Sequence, residues 1–243
     1  MQLICGMHRS GTSLVAKLFH SAGANMGDPC TFYAADQWNP AGYYEQLDVL
    51  RLNISLLHGN WGRLAYLHLP NAATIMKRGT KYAANIAELG LSYADRIVKE
   101  NRFCLTLPAW RANGGDVRRV IVCMREPVAV ALSLKRRNRI PIWYSYRLWL
   151  KHIASLLQNC EGLDTWFVRY EALLNPATKH SEAIGALRFF EMDLPVYNES
   201  NLLDGNIIPQ LNNAPVVMKT RYPHAVQRLW DELLARHARQ TRL

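Results

Sequence analysis

The chain has 243 residues, 49% hydrophobic and 20% charged, a balance that excludes a disordered chain and gives one domain, 1–243, enough length for a substantial core. Its formal charge of +10 favours an acidic ligand, whether nucleotide, nucleic acid or anionic glycan. Five cysteines, Cys5, Cys30, Cys104, Cys123 and Cys160, make an odd count with no C-x-x-C spacing, so no metal site and no disulfide framework is expected.

Met1-Gln2-Leu3-Ile4 runs straight into an apolar strand, with no basic leader or long hydrophobic span, which reads as a soluble, reduced, cytoplasmic protein. The strand ends at Cys5, and Gly6 to Ser13 follow as G-M-H-R-S-G-T-S. Gly6 and Gly11 have the spacing of a triphosphate P-loop, and Ser13 sits where that loop carries its metal-binding hydroxyl. Thr12, however, takes the lysine position, and Arg9 puts a cation inside the loop. Leu14, Val15, Leu18, Phe19 and Ala22 then recur at helical spacing. A strand, a glycine-bearing loop and a helix N-terminus bind an anion through backbone N–H groups. Arg9 adds a planar fork of donors for phosphate or sulfonate oxygens. The missing lysine argues against a triphosphate with its metal.

A Pro-Gly turn at 40–42 leads into a helix expected over 44–58, with Leu47, Leu50, Ile54 and Leu57 on one face. Glu45 opens that helix and is a candidate general base; the helix dipole alone would also favour an acid there, by ~0.3–1 kcal/mol. An irregular stretch to about 80, a helix over 83–98 and a strand over 103–107 follow. Val120 to Met124 is the strongest strand signal, within an expected strand at 119–124. It ends in Arg125-Glu126-Pro127, so Arg125 lies at the carboxyl end of a parallel strand, where open α/β sheets bind ligands. In the next helix, 128–138, Ser133 is two turns in and faces the same anion. Lys135, Arg136, Arg137 and Arg139 form the densest basic cluster. A helix at 143–158 and a strand at 165–169 come next. Residues 192–221 are irregular, and a last amphipathic helix spans 225–239. The alternation predicts an α/β three-layer sandwich, a mostly parallel central sheet flanked by helices.

These motifs together resemble the sulfotransferase superfamily that uses 3'-phosphoadenosine 5'-phosphosulfate (PAPS), whose fold is P-loop NTPase-like. Gly6 to Ser13 is similar to its 5'-phosphosulfate loop, and Arg125 with Ser133 has the spacing of its 3'-phosphate motif. Asn39 to Glu45, Lys99 to Pro108 and Trp166 to Leu174 are similar to segments of its bacterial and Golgi-type branch, the last as a V-x-Y-E-x-L-L strand. The matches run in the family's order from residue 3 to about 176.

The resemblance implies sulfuryl transfer from PAPS to an acceptor hydroxyl, a carbohydrate's being slightly preferred, with release of the 3',5'-bisphosphate PAP and no metal. Arg9 would stabilise the phosphosulfate and the leaving phosphate, and Gly6, His8, Ser10, Gly11, Thr12 and Ser13 would complete the cradle. Arg125 and Ser133 would hold the 3'-phosphate, with Tyr170 near the adenine. Lys99 and Arg102 match a basic pair near the reaction site, with Asn101 where the family carries proline. Glu45 would be the base and His8 its competitor. The expected partner is a small-molecule or glycan acceptor, with no nucleic acid and no membrane span. The irregular stretches 59–80 and 192–221 are the candidate acceptor loops, and Trp38, Tyr43, Tyr44, Trp61 and Trp110 a possible sugar or aryl platform. The glycine-rich closing loop of the cytosolic branch has its nearest counterpart in Lys219-Thr220-Arg221, which lacks the glycines. Two alternatives stay open: a P-loop-like nucleotide kinase, and a non-catalytic module binding nucleotide or anionic polymer.

Overall fold

Four strands pair wholly in parallel: β1 (Gln2–Cys5), β2 (Ile97–Lys99), β3 (Arg119–Met124) and β4 (Asp164–Arg169), in the order β2-β1-β3-β4. These assignments come from a computed structural model, which describes residues 1–58, 69–192 and 222–240. The register sets Leu3 against both Val98 and Val120, and Val122 against Phe167. Side chains alternate across a strand, so each strand feeds two cores. Leu3, Cys5, Val120, Val122 and Phe167 enter one core, while Ile4, Ile121, Cys123 and Val168 enter the other.

On the first face lie α2 (Leu47–His58), α3 (Ala72–Lys81), α4 (Ala83–Ser92), α5 (Phe103–Ala112), α7 (Ile142–Asn159) and the last helix, α10 (His224–Gln240). The second face is covered by α1 (Thr12–Ser21), α8 (Tyr170–Leu174) and α9 (Lys179–Phe189). The molecule is therefore the α/β sandwich expected. The chain leaves β1 toward β2 on one side and returns to β3 on the other, so the sheet switches direction between β1 and β3. The crevice beyond the carboxyl ends of the strands at such a switch is where open parallel sheets bind ligands. Among the described residues no helix is long and apolar enough to cross a membrane.

Several elements differ from expectation. Residues 103–107 are the start of helix α5, not a strand. A short apolar run buried on all sides has the same pattern either way, and Pro108 argued against a helix. Proline leaves the carbonyl four residues back without its helical donor; here that carbonyl, on Cys104, accepts from Asn159 Nδ2 at 2.9 Å. The helix expected over 83–98 stops at Ser92, and its last residues are the edge strand β2. Residues 72–81, expected to be irregular, form α3, capped by Asn71 Oδ1, which accepts from the Thr74 amide at 2.8 Å. The V-x-Y-E-x-L-L strand ends at Arg169, and Tyr170 onward is helical. Helix α9 went unread. Residues 59–68 and 193–221, which contain Trp61, Lys219-Thr220-Arg221 and most of the candidate acceptor loops, lie outside the described residues.

Candidate active site

The loop after β1 is shaped by two close approaches. A Cβ on Gly6 would stand 2.4 Å from the Cys123 carbonyl oxygen, so the loop crosses the end of β3. Gly11 has φ +88°, and a Cβ there would lie 2.4 Å from the Tyr170 ring. Helix α1 starts at the next residue, which leaves its first-turn amides without intrahelical acceptors. Arg9 also has positive φ, +73°. Its carbonyl accepts from Arg125 Nη1 at 3.0 Å, while its own Nε donates to Ser133 Oγ at 2.8 Å. The Arg125 guanidinium stacks 4.2 Å from the centre of the Tyr170 ring. Loop, β3 end, α6 (Pro127–Asn138) and α8 thus meet around one point.

Beside that point, Lys99 at the end of β2 is wholly buried and pairs with Glu45 Oε1 at 2.5 Å. The same ammonium reaches Ser13 Oγ at 3.4 Å. Glu45 does not open a helix, because α2 begins at Leu47. It sits in an extended segment whose carbonyl accepts from the Tyr33 amide at 2.7 Å. Stabilisation by a helix dipole therefore does not account for this carboxylate; the first-turn acid of α2 is Asp48. His8 Nδ1 accepts from Asn101 Nδ2 at 3.0 Å, so the asparagine at the proline position ties the turn after β2 to the loop. Burial, then the charges of Arg102, His152 and Lys99, hold His8 well below the ordinary histidine range. It is neutral near pH 7, with Nε2 carrying the hydrogen.

These groups share a cavity of about 760 Å³, well within the range of ligand pockets. Among the described residues, seven basic side chains line it, Arg9, Lys17, Lys99, Arg102, Arg125, Arg136 and Arg137, against a single carboxylate, Glu45. Burial, then the neighbouring guanidiniums of Arg137 and Arg125, lower Arg9 from its ordinary value, and burial does the same to Arg125. Cations pressed together in this way are relieved by an anion.

Two chains of known structure share this architecture. The sulfotransferase domain of the Synechococcus PCC 7002 olefin synthase matches at a TM-score of 0.58 and 17% identity, over 96% of this chain and 94% of that one. A sulfotransferase domain from the curacin biosynthetic pathway matches at 0.57 and 14%, over 96% and 97%. The fold is that of a sulfotransferase domain. No protein-family model matches the sequence, and no curated protein matches it.

Within this sulfotransferase fold, His8, Arg9, Gly11, Thr12, Ser13, Glu45, Lys99, Arg125, Ser133 and Tyr170 all line the one cavity. Gly6 and Ser10 do not; they build the loop behind it, Ser10 being 1% exposed. Of the aromatic platform, Trp38 and Tyr43 line the cavity, Tyr44 packs on Phe32 and His20, and Trp110 is a core residue. Sequence reasoning missed the polar support behind the basic pair. Glu100, fully buried, accepts from the Arg102 amide at 2.9 Å, Arg102 Nη1 at 2.5 Å and Asn53 Nδ2 at 2.7 Å. Asn53 Oδ1 in turn accepts from Thr106 Oγ1 at 2.7 Å and Trp110 Nε1 at 2.9 Å. Asparagine among the leucines of an amphipathic helix was the available signal. Leu50 and Ile54, read as core, form part of the cavity wall, and the core side of α2 is Val49, Leu52, Leu56 and Leu57.

Proposed function

We propose that this chain is a sulfotransferase that moves a sulfuryl group from PAPS to a hydroxyl, with Glu45 as general base. The observation that carries the reading is the convergence of Arg9, Ser133, Arg125 and Tyr170 on an anion-binding loop, beside the buried Lys99–Glu45 pair.

The residues present suit the donor. Asn101, which lines the cavity, has its Oδ1 buried with no hydrogen-bond partner among the described residues, and an unmet polar group in a cationic cavity suits an oxygen-rich, hydroxyl-bearing ligand. Gly11 leaves room where a side chain would strike Tyr170. Arg9, the loop amides, Thr12 and Ser13 would hold the phosphosulfate; Arg125 and Ser133 would hold the 3'-phosphate, with Tyr170 against the base. Bound PAPS supplies the sulfuryl group and leaves as PAP. Thr12 in place of the P-loop lysine fits a donor that needs no metal-bridged triphosphate.

In sulfuryl transfer, by analogy with phosphoryl transfer, positioning and neutralisation of the leaving oxygen dominate. Arg9 and Lys99 neutralise charge on the phosphate side. Glu45 takes the proton of the acceptor hydroxyl as its oxygen bonds to sulfur. Lys99 serves both: it holds the Glu45 carboxylate in place, and it reaches the loop at Ser13.

The test is calorimetric binding of adenosine 3',5'-bisphosphate in EDTA, against 5'-AMP and ATP, for wild type and Arg125→Ala. Binding without metal that requires the 3'-phosphate and collapses in the variant is the expected result. Tighter binding of ATP with Mg²⁺ would move the kinase reading ahead, and donor binding without turnover on any acceptor would favour the binding module.

A further inference from the structure

The net charge of +10 invites an anionic acceptor such as an acidic glycan, but the wall of the cavity away from the phosphate-binding loop argues otherwise. Three of the seven cations that line the cavity are each matched by a carboxylate. Lys99 pairs with Glu45 at 2.5 Å, Arg102 with Glu100 at 2.5 Å, and Arg137 with Asp36 at 3.3 Å. The pairs are built in rather than incidental. Glu100 is held by Asn53, and Asp36 Oδ1 also accepts from the Tyr43 hydroxyl at 2.8 Å and from the Trp38 and Asn39 amides at 2.8 and 2.9 Å. Tyr43 itself accepts from Arg137 Nη2 at 2.8 Å.

Among the described residues the rest of this wall carries no further carboxylate and combines the amides of Gln37 and Asn39 with apolar and aromatic side chains. Leu50 and Ile54 line it from α2, and Tyr33 and Trp38 stand at its rim with 42% and 38% of their surfaces exposed. Part of the positive charge lies elsewhere: Lys135, Arg139, Arg147 and Lys151, in a stretch 127–160 without Asp or Glu, do not line the cavity. An acceptor carboxylate or sulfate placed against the matched pairs would lose its water and meet a carboxylate beside each cation, a net desolvation cost. A hydroxyl compound with an uncharged, partly apolar body would lose nothing of that kind and would gain contact with the aliphatic and aromatic wall.

We propose that the acceptor is an uncharged alcohol carrying apolar surface next to the reacting hydroxyl, and that the basic character of the chain serves the donor. This rests on the sulfotransferase reading above.

The experiment uses matched acceptor pairs that differ only in charge: octyl glucoside against octyl glucuronide, a steroid diol against its glucuronide, and a neutral disaccharide alkyl glycoside against its uronate. Sulfuryl transfer from labelled PAPS is measured for each, with adenosine 3',5'-bisphosphate binding measured on the same preparation. Neutral members are expected to lead their anionic partners by at least about tenfold in kcat/KM. Asp36→Asn, at a carboxylate that is about one-third exposed, leaves Arg137 without its counter-charge and narrows the ratio by at least about threefold. A protein that fails to bind adenosine 3',5'-bisphosphate overturns the sulfotransferase reading, and this inference with it. A protein that binds the nucleotide but prefers the anionic members, accepts none of the neutral ones, or keeps the same ratio in Asp36→Asn overturns the neutral-acceptor inference alone.

Discussion

Glu45 and Lys99 are 54 positions apart in the chain and 2.5 Å apart in the fold, and the proposed chemistry depends on that pair more than on any other. A base positioned by an ammonium contributes roughly 10²–10⁴-fold to transfer from a hydroxyl. Glu45→Gln keeps the shape and the hydrogen bond from Lys99 while removing the proton acceptor. Steady-state turnover is expected to fall by about 10²-fold or more, with calorimetric affinity for adenosine 3',5'-bisphosphate within about twofold of wild type; unchanged turnover would remove Glu45 from the mechanism. Asn53 acts on stability instead. Its amide satisfies Glu100, Thr106 and Trp110 at once, and each buried polar group left unmet costs about 1–3 kcal/mol. Asn53→Ala is therefore expected to lower unfolding free energy by about 3 kcal/mol in a urea titration, several times the loss from Ser55→Ala on the exposed side of the same helix.

At the scale of elements, the loop between β1 and α1 is held open by a glycine that cannot be replaced without cost. Gly11→Ala meets both a left-handed backbone, unfavourable by about 1–2 kcal/mol for a residue with a Cβ, and the Tyr170 ring at 2.4 Å. The ring must move off Arg125, so nucleotide affinity is expected to drop at least about tenfold, while the melting temperature falls by only a few degrees. Equal affinity in the variant would mean that the loop and α8 do not share a ligand. The elements that were legible in the sequence, β1, β3, α6, α7, β4 and α10, have an unambiguous apolar period or a strong β-branched run. Helix α5 and strand β2 were not. Seven of the ten residues of α5 are buried, which erases the polar stripe that would mark it as a helix. Strand β2 has three residues, too few for any period, and exists because β1 offers it a hydrogen-bonding edge.

At the scale of the whole molecule, a buried histidine is expected to make stability fall with acid. His152, 2% exposed, donates from Nδ1 to the Leu148 carbonyl at 2.8 Å, and burial lowers it from 6.5 to about 4. The unfolded chain takes up this proton below pH 6.5, and the folded one does not until about pH 4. Its contribution is thus fully present above pH 6.5 and is lost as pH falls toward 4, at about 1.4 kcal/mol per pH unit. Urea midpoints measured from pH 7 to pH 4.5 are expected to fall along that slope, and His152→Gln to flatten it; an unaltered slope in the variant would assign the acid sensitivity to other groups.

By itself the sequence determined the layered α/β architecture and the glycine-bearing loop between the first strand and the first helix, because strand and helix periods and loop glycines are local properties of the chain. Glu45, Lys99, Arg125 and Ser133 stood out as site residues only through the resemblance of their motifs to the sulfotransferase superfamily. Only the tertiary structure decided which charges meet. Lys99 with Glu45, Glu100 with Asn53, and Arg137 with Asp36 join segments that chain order separates. A carboxylate's influence falls off over a few ångströms through space, whatever the distance along the chain. For that reason a composition of +10 indicated an acidic ligand in general, while only the fold shows which of the cations lining the cavity have a carboxylate beside them.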